Sequence, residues 1–139
     1  MSKIVFNIIK KIVSNDKRFF KIKKYIANRV GWYAEYFVII FMFFKGYKLF
    51  KHRYKNYCGE IDLIFIRRKK IIFVEVKARS GEIDYFGLVS KWQKRRIITS
   101  ANVFLSKYDR FAKYSIQFDI CVVFSVFPWK INHIKNAWN

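Results

Sequence analysis

A chain of 139 residues can fill one core and not two. Its 29 Lys and Arg against nine Asp and Glu give a formal charge of +20, so a polyanion is the expected partner. Cys58 and Cys121 stand far apart and no Cys or His cluster has zinc spacing, which excludes a disulfide framework and suits reduced packing residues of a cytoplasmic protein.

In chain order, Ile4, Val5, Ile8, Ile9, Ile12 and Val13 have helical spacing, with Lys3, Lys10 and Lys11 on the other side. Ser14-Asn15-Asp16 breaks that pattern, and Phe19 to Ala27 offers a second short basic helix. Residues 1–30 thus read as a basic amphipathic extension, either a helical layer or a nucleic-acid arm, ahead of a domain over 31–139. Lysines interrupt its apolar stretches and no small-residue cleavage site follows, so no secretory signal is expected.

Trp32 to Lys45 is apolar nearly all round and predicts a helix buried against a sheet. Its longest apolar run, Tyr36 to Phe44, is about half the ~20 residues of a membrane span, so no span is expected. Glu35 is the exception on this helix, and an acid near a helix start is favoured by the dipole. Gly46 ends the helix, Tyr47 to Tyr54 alternates like an edge strand, and Asn56 to Gly59 makes a turn.

The most informative stretch follows. Glu60 to Ile66 and Ile71 to Ala78 are apolar runs joined by Arg67-Arg68-Lys69-Lys70, a link short enough to demand an antiparallel hairpin. Side chains alternate along a strand, so Glu60 and Asp62 share one face, as do Glu75 and Lys77. Ile61, Leu63, Val74 and Val76 point into a core. Charges in so apolar a setting need a partner or a metal, because burying one alone costs several kcal/mol.

Ser80 to Gly87 reads as a loop, and Val89 to Tyr108 as a helix. Val89, Trp92, Ile97, Ala101, Phe104, Leu105 and Tyr108 form its expected core face. Lys91, Lys94, Arg95 and Arg96 crowd its first half, as a solvated face or as a phosphate-contacting strip. Ile116 to Phe127 predicts a strand containing Asp119, and Trp129 to Ile134 a last short one. His52 and His133 are lone residues, expected to be satisfied by packing rather than to bind metal. Glu35, Glu60, Asp62, Glu75 and Asp119 all lie in apolar segments, and a site needing carboxylates is the simplest reason.

Asp62 followed by Glu75-Val76-Lys77 resembles the D…(D/E)-x-K motif of restriction-endonuclease-like nucleases. More closely, G-E-I-D-L-I and F-V-E-V-K-A-R resemble the signature pair of the YraN family, relatives of Holliday-junction resolvases. Gly31-x-x-Ala34-Glu35, Gly46-Tyr47, Phe118-Asp119 and the closing H-I-K-N-A-W agree with it, so the resemblance covers residues 31–139. It implies an α/β fold with an αβββαβ core, a mixed sheet flanked by helices. It also implies Mg²⁺ or Mn²⁺ held by Asp62, Glu75 and the Val76 carbonyl, with Glu35 or Glu60 as a further acid and Lys77 as a catalytic cation. The implied partner is structured DNA, cut by a possible homodimer. In three places the chain departs from the pattern. Ile61 replaces a proline of many superfamily members, Gln93 stands where the family usually has lysine, and Arg53 where asparagine is common. A nucleic-acid-binding protein without catalysis, or a domain whose acids form buried ion pairs, are the rival readings.

Overall fold

The computed structural model describes residues 17–81, 87–124 and 130–138. The expected helix over residues 4–13 and most of the expected 80–87 loop lie outside these residues.

Helix α1 spans Lys17–Phe44, and strands β1 (Lys48–Asn56), β2 (Gly59–Arg67) and β3 (Lys70–Arg79) follow it as a meander. Helix α2 (Lys91–Ser106) and a 3₁₀ turn at Asp109–Phe111 then cross over to β4 (Ser115–Phe124), and β5 is Lys130–Trp138. The strands lie side by side in sequence order. β1–β2, β2–β3 and β4–β5 pair antiparallel and β3–β4 parallel, because a helical crossover returns the chain in the same direction. This is the mixed α/β sheet with an αβββαβ core that the resemblance implies.

The helices cover opposite faces. Ile64, Phe73, Ile97, Ala101 and Phe104 join sheet and α2 in one core, while Ala34, Val38, Met42, Leu63, Phe65 and Val74 join sheet and α1 in the other. Such alternation along β2 and β3 is what the strand period requires of a sheet covered on both sides.

Several expectations need correction. Separate helices are expected over Phe19 to Ala27 and Trp32 to Lys45, but α1 runs unbroken through residues 30 and 31. No proline interrupts it, and one glycine costs a helix only about 1 kcal/mol. Nor is α1 buried all round. Ala34, Val38 and Met42 pack on the sheet, while Tyr33, Ile40, Phe43 and Phe44 on the far side are more than half exposed, because one sheet covers only one side of a helix. Trp92, expected in the core, is 66% exposed and lies under the Arg96 guanidinium, 4.6 Å from its ring centroid. The last strand runs past its expected end at Ile134 to Trp138, since pairing resumes at Phe118↔Trp138 beyond an irregularity between Phe118 and Ile120.

Candidate metal and phosphodiester site

The site is assembled by two hairpins and α2. At the first turn Asn56 Oδ1 accepts the backbone N–H groups of Cys58 (2.9 Å) and Gly59 (3.2 Å), and Asn56 Nδ2 donates to the Ser100 carbonyl (3.1 Å). One asparagine therefore shapes the turn and ties it to α2. Gly59 permits the close approach, because a β-carbon there would meet Arg96 and Ser100 at 3.3 Å. On the other side Ser90 caps α2 by accepting the Gln93 N–H (3.1 Å).

The β2–β3 ladder ends at Leu63↔Val74, and one step further Asp62 faces Glu75. Asp62 Oδ2 accepts the Val76 N–H at 2.8 Å. Glu75 Oε1 accepts from the Lys77 ammonium at 2.7 Å and from Gln93 Nε2 at 2.6 Å, and Lys77 also reaches Gln93 Oε1 at 3.3 Å. Glu75 is only 7% exposed. Asp62, Glu75, Glu60, Gln93 and Arg96 line one cavity of about 300 Å³.

The electrostatics of this pair are unbalanced. The Asp62 carboxyl is pushed up to about 7, first by burial and then by the charge of Glu75. The Val76 N–H and the Lys77 ammonium oppose that rise without cancelling it. Among the described residues no group of three or more His, Cys, Asp or Glu side chains gathers as a metal cage. Two carboxylates and a neighbouring carbonyl nevertheless fit a hard divalent cation such as Mg²⁺, which keeps several waters and takes only one or two carboxylates from a protein. A cation there would supply the positive charge that the Asp62–Glu75 pair lacks.

The five acids that the sequence groups together are divided among different places. Glu35 is held by a fork from Arg53, whose Nε and Nη2 each donate at 2.8 Å, and His52 Nε2 lies 2.6 Å from Oε2. It is still close enough to contribute to the rise at Asp62. Asp119, fully buried, accepts from Gln117 Nε2 (2.8 Å), the Asn136 N–H (3.0 Å) and His133 Nε2 (2.7 Å). Each histidine thus meets a carboxylate through Nε2, while His133 Nδ1 is buried without a hydrogen-bond partner. Burial beside Asp119 pushes the Cys121 thiol up to about 12, which leaves it an inert packing group.

Of the basic strip, Arg96 alone lines the carboxylate cavity, where it also donates to the Cys58 carbonyl at 3.1 Å. Lys91 and Arg95 are exposed, and the Lys94 ammonium lies 5.7 Å from the Trp138 ring centroid. Gln93, which stands where the resemblance leads one to expect lysine, bonds both Glu75 and Lys77. A signal for it existed: Gln93, Arg96 and Ile97 fall on one helical face at i, i+3 and i+4.

The family model for "Uncharacterised protein family UPF0102" matches residues 34–123 of this chain. A UPF0102 protein of Ehrlichia chaffeensis is 39% identical over 118 residues, covering 84% of this chain and 92% of the relative. One from Ehrlichia ruminantium is 34% identical over 116 residues, covering 84% and 88%. Another, from Sinorhizobium medicae, is 37% identical over 113 residues, covering 81% and 90%. The match takes in both signature strands, α2 and most of the sheet, so the chain belongs to the uncharacterised family UPF0102, the YraN family.

Proposed function

We propose that the protein is a nucleic-acid-binding, divalent-metal-dependent endonuclease that hydrolyses phosphodiester bonds in structured DNA. The observation that carries this reading is the uncompensated pair Asp62–Glu75 with one ammonium, Lys77, beside it. Ion pairs kept only for stability tend to satisfy their charges, and this one leaves an excess of negative charge for a cation to neutralise.

Asp62, Glu75 and the Val76 carbonyl would hold the ion. Bound there, Mg²⁺ or Mn²⁺ polarises a phosphoryl oxygen and makes water a better nucleophile at neutral pH. Gln93 fixes the Glu75 carboxylate by occupying Oε1. The Lys77 ammonium orients water and stabilises negative charge that develops on the phosphate. Arg96 stands on the cavity wall, where a guanidinium can fork a phosphate. Glu35, already matched by Arg53, adds negative field rather than a ligand. Lys91, Lys94 and Arg95 extend the positive surface along α2 for the nucleic-acid backbone.

Tyr25, Tyr33, Tyr36, Ile40 and Phe43 belong to an exposed apolar stripe along α1. Ile22, Ile26, Arg29, Tyr33, Tyr36, Ile40 and Phe43 follow one another at alternating spacings of four and three, the seam of two packed helices. We extend the proposal to a homodimer through this seam, which gives the two-fold pair of sites that a branched, symmetric DNA needs. Sedimentation should show a dimer that Ile40→Glu converts to monomer; a monomeric wild type would remove this part.

The deciding assay presents labelled four-way, nicked and single-stranded DNA with Mg²⁺, Mn²⁺ or EDTA. Cleavage of a branched or nicked substrate that EDTA stops is the expected result. Tight, salt-sensitive binding with no cleavage under any metal would instead establish the non-catalytic rival.

A further inference from the structure

The opposite end of the β2–β3 hairpin holds a second cavity, of about 240 Å³. Arg67, Arg68, Lys70 and Lys135 line it, and no acid does. Arg67 lies five residues along β2 from Asp62, or roughly 17 Å at ~3.4 Å per residue. Tyr47 and Ile72 of its wall belong to the core on the α1 side of the sheet, whereas Gln93 and Ile97 of the carboxylate cavity come from α2. The two cavities therefore differ in end, in face and in sign.

Among the described residues, none of the five ion pairs uses any of these four cations. Asp119, the buried acid bonded to Gln117 and Asn136 of the wall, already has three donors. The Arg67 guanidinium is held over the Tyr47 ring, 4.9 Å from its centroid, and so is oriented in advance.

The backbone supplies a second, independent observation. Arg68 (φ 55) and Asn136 (φ 48), both on this wall, are two of the three non-glycine residues with positive φ among the described ones. Arg68 is the first residue of a two-residue turn closed by the Arg67↔Lys70 pair, a place where glycine or asparagine sits without strain. An arginine there is unfavourable for the fold. Backbone strain of this kind collects where a side chain must be aimed at a ligand.

We propose that this cavity is a phosphate-binding site, taking the phosphate group of a nucleotide or of a nucleic-acid backbone. Two guanidinium forks and two ammonium groups match the several oxygens of a phosphate better than they match one carboxylate. The site does not depend on the nuclease reading, because it shares no lining residue with the carboxylate cavity.

The test uses the full chain in EDTA, so cleavage is not read. Arg68→Gly and Lys135→Gln are compared with wild type and with Lys107→Gln, which removes an exposed charge elsewhere. Each is titrated with inorganic phosphate, with a nucleoside monophosphate, and with labelled duplex DNA, and each is melted. Arg68→Gly should melt at or above the wild-type temperature while binding its phosphate ligand about tenfold more weakly. Lys135→Gln should lower the slope of log affinity against log salt for DNA by ~0.9, the loss of one phosphate contact. Weakening with DNA alone supports the site and identifies the backbone as its source, while weakening with phosphate or nucleotide as well supports a free ligand. The proposal is overturned if Arg68→Gly binds all three probes like wild type, or if Lys107→Gln loses as much DNA affinity. A clear fall in melting temperature for Arg68→Gly also overturns it, since the arginine would then serve the fold.

Discussion

Two kinds of carboxylate meet at this sheet, Glu35 from α1 and the others from its strands. Glu35 and Asp119 are saturated, one by an arginine fork and a histidine, the other by three donors. Asp62 and Glu75 face one another with a single ammonium, bonded to Glu75, and with the Asp62 carboxyl pushed up to about 7. Saturation makes a carboxylate structural, because nothing is gained by adding a cation to it. Deficit makes one receptive. Glu35 and Glu75, the same residue type at 6% and 7% exposure, are thus sorted by what surrounds them rather than by burial.

Substitutions on the deficient side should give the largest effects, and they should appear in turnover. Glu75→Ala is expected to abolish cleavage while leaving binding in EDTA as tight or tighter, since it removes negative charge from a surface that meets a polyanion. Lys77→Ala should slow cleavage on the order of 10²-fold and leave binding of the ion largely intact. Single-turnover cleavage beside anisotropy in EDTA reads both, and a joint loss of binding and melting temperature would put this pair with the saturated ones.

Substitutions on the saturated side should appear in stability instead. Asp119→Ala leaves His133 and Gln117 buried without their acceptor and should cost about 3 kcal/mol in denaturant melts. Arg53→Ala strands Glu35 beside His52 alone. Because the Arg53 side chain is 34% exposed, solvent screens part of that loss, and about 2 kcal/mol is expected. Cleavage by the folded fraction should change little for Asp119→Ala.

Titration sharpens the same contrast. Asp62 holds its proton more tightly folded than unfolded, so its contribution to stability falls as pH rises from about 4 to about 7 and is level above that. Removing that liability, Asp62→Asn should raise metal-free stability at pH 8, by at most ~4 kcal/mol. Mg²⁺ competes with the proton, so its stabilisation of wild type should grow through pH 7 and vanish in Asp62→Asn. Differential scanning fluorimetry at pH 5, 7 and 8 with and without Mg²⁺ checks both signs. A wild type that responds to Mg²⁺ equally at all three would contradict the assignment.

The smallest expected effect is at Gln93. Its loss in Gln93→Ala removes one of the two donors to Glu75 Oε1, worth about 1 kcal/mol, or roughly five-fold in cleavage rate. Gln93→Lys should recover or exceed the wild-type rate, because an ammonium at that position keeps a donor and adds charge. A change greater than that of Lys77→Ala would make Gln93 the principal group and Lys77 its support.

What the sequence determined by itself is the β2–β3 hairpin and its cargo. A four-residue basic link leaves the two apolar runs no option but to pair at once, and a side-chain period of two then brings Asp62 opposite Glu75 with Lys77 beside it. Those constraints are local, so they could be read from neighbouring letters. The tertiary structure decided which acids belong together. Glu35 lies 18 positions from Arg53, and Glu75 lies 18 from Gln93, and no periodicity links positions on separate elements. Packing also decided that Trp92 faces outward, that α1 covers the sheet with one side only, and that Arg67, Arg68, Lys70 and Lys135 surround a common space. Periodicity shows that an element has faces, but which face is covered depends on what packs against it, and that is settled only when the whole chain has folded.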